Sequence, residues 1–377
     1  MKLETIDSIE QAKDFCLKNF KDSSPFLAYS FFKLLEDTNC TSKDTGWIPK
    51  HFIIKKDNEI IGFIPNFKKL NSQGEYIFDQ AFEQAYYQVG SDYFPKYLSA
   101  IPFTPVNRSK FIYSKESINI ENIIQPLQEF LKKSETSSFH INFVHQNISN
   151  ILKNYNFFQR IGIQYHWTNH SFSSFKDYLD TMKSRKKKSI LKERNSLKEK
   201  NISFVHKEGE MIKEGDIILL YKCYLNTIDK KWSRPYLNYD FFRGLIKFST
   251  AKKMLLVTAY QGQKVLGCSI HFIGRDTLYG RYWGCLEEIP YLHFELCYYQ
   301  AIDYAIKNKL SKIEAGAQGE HKISRGYLPC LTYSNHWFRN EILRDPIKKF
   351  LVQESYKMKE TSTLLKKYSP FSLPQTQ

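Results

Sequence analysis

The chain has 377 residues, 42% of them apolar, with 29 Phe and 25 Tyr. This is enough for about two domains with aromatic-rich cores, and it excludes a mainly disordered protein. No run of about 18 apolar residues exists to span a membrane, and the seven scattered cysteines contain no C-x-x-C pair, which excludes a disulfide framework or zinc ribbon. The N-terminal MKLETIDSIEQAKDF lacks the apolar core of a secretion signal, so the expected location is the cytoplasm. The net charge of +16 is uneven: residues 1–170 hold 19 Lys/Arg against 18 Asp/Glu, and residues 171–377 hold 36 against 21. The C-terminal half should therefore attract an anionic partner.

Residues 9–19 and 26–37 read as helices, the second with Ser24 as N-cap and Pro25 in its first turn. A strand over 51–55, a polar turn at Asp57-Asn58 and an apolar run with Gly62 make a β-hairpin pattern. Residues 121–133 read as a helix and 138–144 as a strand. An extended Gln164-Tyr165-His166-Trp167 leads into a polar loop, which places a boundary between domains 1–168 and 169–377. Residues 175–200 form one long basic helical stretch, followed by helices over 217–229 and 239–247. Strands over 254–259, 265–273 and 277–284 come next; the first two repeat the earlier hairpin pattern around Gly267, which suggests one domain used twice. A helix over 292–307, a short buried strand over 312–315 and a tail frayed beyond 369 complete the reading.

The densest chemistry lies in residues 279–329, YGRYWGCLEEIPYLHFELCYYQAIDYAIKNKLSKIEAGAQGEHKISRGYLP. Strand, loop, helix, strand and Gly-rich turn form a βαβ-like unit, and such units bind ligands at strand ends and helix N-termini. Arg281, His293, Glu295, Glu314, Gln318, His321, Lys322 and Arg325 all fall there. A stable fold alone does not need so many polar groups near buried strand ends.

The repeated hairpin, third strand, helix starting in a loop and short strand resemble the core order of the GNAT acyltransferase fold. The chain is also similar to FemAB-like predicted N-acyltransferases, which carry two such domains in tandem. The blocks SPFLAYSFFKLLED (24–37), TGWIPKH (45–51), GEYIFDQAFEQAY (74–86), YFPK (93–96), IPFTPV (101–106), SRKKKSILKER (184–194), NTIDKKWSRPYL (226–237), TLYGRYWGCLEEIPYLHFELCYYQAIDYAI (277–306) and EAGAQGEHKISRGYLP (314–329) carry the resemblance. It implies an α/β (α+β) fold of two GNAT-like domains, each a mixed twisted sheet flanked by helices, with the active site in the C-terminal one. It implies transfer of an acyl or aminoacyl group from a thioester or from aminoacyl-tRNA to an amine, on a small molecule or a cell-envelope (peptidoglycan) precursor. Acyl-CoA would be a co-substrate, with no tightly bound cofactor and no metal. The alternative is a non-catalytic protein of the same fold that binds an anionic or envelope-related ligand. The superfamily's pyrophosphate loop, Q/R-x-x-G-x-G/A, has no clear copy; the nearest place is Trp283-Gly284-Cys285 running to Leu292, with Glu287 and Glu288 inside it. No long heptad insertion offers a coiled-coil arm.

Acyl transfer to an amine needs proton removal, a stabilised carbonyl oxygen and two substrates held together. Glu314, on its short strand, is a candidate base or a carboxylate fixing a turn. His293, at the start of a helix, is a base, an orienting group or a cap. Gln318, Gly319, His321, Lys322 and Arg325 form either a phosphate or carboxylate grip or a solvated loop, and Gly316 shares that turn. Arg281 and Tyr282 alternate across a strand, so one should face a cleft. Glu295 joins them as a substrate contact, and Gly284 and Cys285 as contacts to a donor. Cys285 and Cys297 read as structural thiols rather than nucleophiles. Trp232 and Arg234 line a cleft or anchor a loop, and Glu75, Asp79, Tyr86 and Thr104 either form an acceptor wall or pack a loop. The basic helix over 183–200 admits three readings: a solvated face, a peripheral contact with an anionic substrate or membrane, or an RNA contact.

Overall fold

The computed structural model describes residues 1–20, 24–114, 118–230, 234–247 and 253–372. The chain divides into two compact units, one formed by Met1–Asp22, Phe26–Ile163 and Leu331–Thr361, the other by Ser23–Pro25, Gln164–Cys330 and Ser362–Gln377. Up to the first crossing the elements are β1 (Lys2–Ile6), α1 (Lys13–Asn19), α2 (Tyr29–Asp37), β2 (Trp47–Pro49), β3 (His51–Lys56), β4 (Glu59–Ile64), β5 (Phe67–Lys69), α3 (Gln80–Gln88), β6 (Lys96–Ser99), β7 (Ile112–Tyr113), α4 (Glu121–Lys133), β8 (Ser138–Val144), α5 (Gln146–Lys153) and β9 (Phe158–Thr168). There follow α6 (Phe175–Asp180), α7 (Ser184–Glu199), β10 (Ile202–Glu208), α8 (Glu214–Lys230), α9 (Tyr239–Lys247), β11 (Met254–Gln261), β12 (Lys264–Ile273), β13 (Thr277–Cys285), α10 (Leu292–Phe294), α11 (Gln300–Lys307), β14 (Lys312–Glu314), β15 (Leu328–Phe338) and α12 (Glu341–Lys366).

In the first unit, β1-β3-β4-β7 form an antiparallel sheet, while β2, β5, β6 and β8 form a mixed one in which β6 and β8 run parallel. Residues 331–361, which the sequence places with the C-terminal half, belong here because Tyr333–Phe338 of β15 pair with β8. One core joins Phe52, Ile54 and Ile64 of the hairpin to Ile123, Leu127 and Leu131 of α4 and to Phe139 and Ile141 of β8. Apolar residues at helical spacing are what bind α4 to the sheets. The second unit runs β10-β11-β12-β13-β14 and then the end of β9, antiparallel except for the parallel β13–β14 step. Helix α8 packs on β12 and β13, and the segment after β13 returns over β11, β12 and β13. That order of hairpin, strand, helix and parallel strand is the one expected.

The two hairpins match in detail. Each has a two-residue turn, Asp57-Asn58 with both φ positive (49° and 67°) or Gly262-Gln263 with Gly262 at 58°. In each, the glycine three positions into the second strand, Gly62 or Gly267, lies opposite Ile54 or Ala259, and the ladder slips by one residue immediately beyond.

Three expectations change. Helix α2 starts at Tyr29 from an extended Ala28, without a side-chain cap; Ser24, Phe26 and Leu27 are buried ahead of it. The basic stretch is two helices, because residues between them pair with the C-terminal segment: Lys183 N–H donates to Pro370 O (2.8 Å) and Ser372 N–H to Thr181 O (2.9 Å). The tail is thus tied down as far as Ser372. Lastly, a π-helical turn, Glu295–Tyr299, interrupts the helix over 292–307.

Candidate functional site

Strands β13 and β14 pair from Thr277/Lys312 only to Tyr279/Glu314. Strand β14 then ends while β13 continues to Cys285, so the two part. On its other edge β13 carries a bulge: Ile270 faces Tyr282 and His271 faces Gly280, which leaves Arg281 as the extra residue. Bulges of this kind re-aim a side chain and recur beside active sites. The opening encloses a cavity of about 70 Å³ lined by Ser269, Ile270 and His271 of β12, Gly280 to Trp283 of β13, His293, Cys297 and Tyr298 of the following helix, and Ala315.

The π turn shapes the cavity's helical wall. Its wider turn sets Glu295 and Gln300, five residues apart, in a 2.7 Å hydrogen bond, and π turns concentrate at functional sites. His293 stacks on Trp283 with centroids 4.3 Å apart and lies 5.3 Å from the Tyr298 ring. Tyr298 Oη sits 2.9 Å from His321 Nε2. Glu295 is buried against Arg194 (2.9 Å) rather than open to a substrate.

His271 went unnoticed in the sequence. It is 1% exposed, and its Nε2 faces Leu296 O at 3.3 Å and Ser269 Oγ at 3.1 Å. The carbonyl assigns the proton to Nε2 and leaves Nδ1 as an acceptor, which has no partner. Burial pulls the imidazole down to about 4, so it is neutral at pH 7. A Cβ on Gly280 would stand 3.3 Å from that Nδ1, so glycine there spares the nitrogen a tight contact. The alternation Ser269-Ile270-His271 in an apolar strand was the available signal.

Glu314 is 2% exposed and accepts from Lys312 Nζ at 2.8 Å through Oε1. Burial pushes its carboxyl up, but His166, Lys312 and Arg281 outweigh that and hold it down to about 2. Arg281 donates to Gly280 O (2.8 Å) and lies over the Tyr279 ring. Tyr282 meets Tyr224 and Phe242 edge-on.

The polar turn after β14 is engaged inward, contrary to its reading as an anion grip. Lys322, 3% exposed, donates to Ala315 O at 2.5 Å, and burial lowers it to about 8. Arg325 reaches both carboxylate oxygens of Glu193 at 3.0 Å and lies 3.4 Å from the Phe294 ring centroid. Gln318 and His321 stay at the surface, and Gly316 (φ 79°) and Gly319 (φ 118°) take backbone angles other residues resist. Arg194, counted with the basic helix, turns in to Glu295 and Asp303, while Arg185, Lys188 and Lys192 of α7 remain exposed. In the first unit Glu75 and Asp79 are buried against Lys96, which leaves them no role as an open wall. Arg234 is exposed, and Trp232 lies outside the described residues.

The donor contacts expected after β13 are also structural. A Cβ on Gly284 would meet Cys223 O of α8 at 1.9 Å. Thr227 and Asn226 of the same helix donate to Trp283 O and Cys285 O, each at 2.8 Å. Cys285 is buried, and burial raises its thiol. Glu288 pairs with Lys230 (2.7 Å) and Glu287 with Lys264, so this acidic loop does not fit a pyrophosphate. Gly284→Ala is expected to cost about 3 kcal/mol, because backbone rather than a movable side chain fills the space; a fall in Tm of about 6–12 °C checks it, and an unchanged Tm would refute this packing.

Residues 5–373 match the family model described as peptidoglycan biosynthesis/recognition. The chain belongs to the FemAB-like family. Among solved structures, FemX matches this FemAB-like chain at 10% identity and a TM-score of 0.52, over 92% of this chain and 100% of FemX. A conserved protein of unknown function from Bacteroides thetaiotaomicron matches at 12% and 0.52, over 88% and 98%. The C-terminal domain of a putative lysylphosphatidylglycerol synthetase from Agrobacterium fabrum matches at 7% and 0.53, over 92% and 95%. At such identities the likeness is one of fold. No functionally curated protein matches the sequence. Among the described residues no helix is long and apolar enough to cross a membrane, and no cluster of three or more His, Cys, Asp or Glu could hold a metal ion.

Proposed function

We propose that this FemAB-like protein is an N-acyltransferase whose reaction takes place where β13 and β14 part. The observation that carries the reading is the bulged opening whose cavity is lined by a neutral imidazole, His271, with an unpartnered Nδ1. The amine nitrogen attacks the donor's acyl carbon, the C–N bond forms, and the bond from that carbon to the donor's sulfur or oxygen breaks. The proton shed by the amine passes through His271 Nδ1 to the leaving group. Trp283, His293 and Tyr298 give the acyl chain an aromatic wall, and Arg281 supplies positive charge near the developing oxyanion. The family and the exposed Arg185, Lys188 and Lys192 support a donor on a polyanionic carrier, aminoacyl-tRNA before acyl-CoA, and an acceptor amine on a cell-envelope precursor. The acidic loop after β13 favours a second reading, a binding protein without turnover.

Two measurements separate them. Acetyl-CoA, long-chain acyl-CoA, free CoA and aminoacyl-tRNA are compared for thermal stabilisation; a donor at 100 times its Kd adds about 2.7 kcal/mol. With the stabilising donor, His271→Gln keeps a donor for Leu296 O but removes the Nδ1 acceptor. Its turnover is expected to fall about 100-fold or more with donor stabilisation retained. Full turnover would remove His271 from the mechanism, and ligand stabilisation without turnover in the parent protein would establish the second reading.

A further inference from the structure

A second, larger cavity of about 220 Å³ lies within the second unit. Its polar wall holds His166 and Thr168 of β9, His170 just beyond, and Lys312 of β14; Leu328 of β15 and Phe371 of the C-terminal segment make an apolar wall. The ladders set His166, Thr168 and Lys312 on one face of the sheet and Gly280 with His271 on the other, so the two cavities lie on opposite faces. His166, 6% exposed, places Nε2 3.1 Å from Gln164 Oε1, so Nε2 donates and Nδ1 is an acceptor. No donor reaches that Nδ1, and a buried acceptor beside an open volume is what an absent donor leaves behind. Lys312 supplies the complement. One N–H of its ammonium goes to Glu314 Oε1 at 2.8 Å, which leaves the others for a further acceptor. No carboxylate lines the cavity. The charged groups that act most on His166 are one anion, Glu314, and three cations, Lys312, Lys322 and Arg281, so the polar wall favours negative charge.

We propose that this cavity is a second ligand site, separate from the opening between β13 and β14, and takes a small 2-hydroxy carboxylate with an apolar chain. The carboxylate accepts from Lys312, the hydroxyl donates to His166 Nδ1, and the chain lies along Leu328 and Phe371. Each part of the head group answers one observation. A plain carboxylate leaves the imidazole acceptor without a donor, and a plain alcohol leaves the ammonium without an anion. A 2-amino acid offers both groups but adds an ammonium beside Lys312, Lys322 and Arg281. Thr168, the ladder partner of Lys312, is the next residue after His166 on their shared face, so the ligand's two polar groups must be adjacent. Burial holds His166 down to about 3, so Nδ1 keeps its lone pair at neutral pH. The volume takes about seven water-sized groups at roughly 30 Å³ each, which suits a hydroxy acid of about five carbons and excludes a nucleotide. Lying across the sheet from His271, this ligand is not a reactant in the transfer, and its assignment stands without the transferase reading.

The test titrates the full chain by calorimetry at pH 7, without any acyl donor. The ligands are 2-hydroxyisovalerate, its 2-methoxy analogue, isovalerate, 2-hydroxyisovaleramide and valine. Saturable binding of the hydroxy acid is expected, with each of the other four at least tenfold weaker, because each lacks the donor or the anion or adds a cation. This comparison is made on the unaltered chain and does not depend on the folding of any variant. Lys312→Gln keeps an N–H for Glu314 but removes the charge, and is expected to weaken the hydroxy acid at least tenfold. Cys330, also in the wall, is replaced in Cys330→Phe, which fills the cavity with Lys312 and His166 in place and is expected to abolish binding. No saturable binding of the hydroxy acid, equal or tighter binding of any of the other four, or binding left unchanged by either folded variant would overturn the site. Binding of the hydroxy acid by a protein that transfers nothing would keep the site and defeat the transferase reading alone.

Discussion

Between pH 7 and pH 5 the thermal midpoint is expected to fall by at least about 10 °C. His140, His166, His271 and His336 are almost fully buried, and burial holds each imidazole below its ordinary value, His271 to about 4, His166 to about 3, and His140 and His336 well below it. In the unfolded chain the same groups titrate near 6.5. A depressed folded value means that the stabilisation is complete above about 6.5 and is lost as the pH falls toward the folded values. Each histidine contributes about 1.4 kcal/mol per pH unit in that window, so four together give a slope of roughly 5 kcal/mol per unit. The His140–His336 pair sharpens the effect. Their Nδ1 atoms are 2.7 Å apart, so one must donate and the other accept, and a further proton sets two donors face to face. Depressed carboxylates such as Glu314 begin to lose stability only below about 4.5, whereas Glu75 and Glu295, raised by burial, act in the opposite sense and offset part of the slope. Calorimetric scans from pH 8 to pH 4.5 measure the slope; a flat Tm down to pH 5 would mean that these histidines are not held neutral.

Glu193→Ala should be the most damaging single change among the polar residues around the site, at about 3–5 kcal/mol. Glu193 binds Arg325 through both oxygens and also accepts from the Tyr299 hydroxyl, and the side chains of the ion pair are only 7% and 12% exposed. Removing the carboxylate leaves a guanidinium buried over Phe294 with its charge uncompensated. The replacement should therefore loosen the turn over 316–326 and lower any transfer activity with it. A double variant, Glu193→Ala with Arg325→Met, removes both charges and should recover much of the lost stability. Urea unfolding of the two single variants and the double variant decides the point. Additive losses would show that the pair is not coupled.

The elements legible from the sequence were those whose periodicity runs long enough to be unambiguous. Helix α4, strand β8, helix α9 and both hairpins fall where their apolar spacing and turn residues put them, and the glycines at 62 and 267 announced the repeat. Strands of three or four residues, such as β2, β5 and β6, are too short to show an alternation. Strand β15 carries Thr332, Ser334 and His336 among its apolar residues, and its buried polar side chains disguise it. At the candidate site, the sequence singled out residues 279–329, which supply most of the smaller cavity's lining but not Ser269, Ile270 or His271. Lys322, Arg325 and Arg194 look like free cations in a polar stretch, but their partners, a backbone carbonyl and carboxylates on other elements, exist only once the chain is folded. His271 and His166 were missed for the converse reason: each is one polar residue in an apolar strand, and only the ladder shows what stands opposite.

The return of residues 331–361 to the first unit bears on the order in which the protein can be made. Strand β8 emerges early in synthesis, but its partner, Tyr333–Phe338 of β15, follows almost two hundred residues later. The first unit must wait with one sheet incomplete while nearly all of the second is synthesised within it. The second unit, continuous from 164 to 330 apart from its C-terminal strap, is free to fold in the meantime. A chain severed near residue 168 would give an N-terminal piece lacking β15, so two halves produced separately would need to recombine before either sheet system was whole.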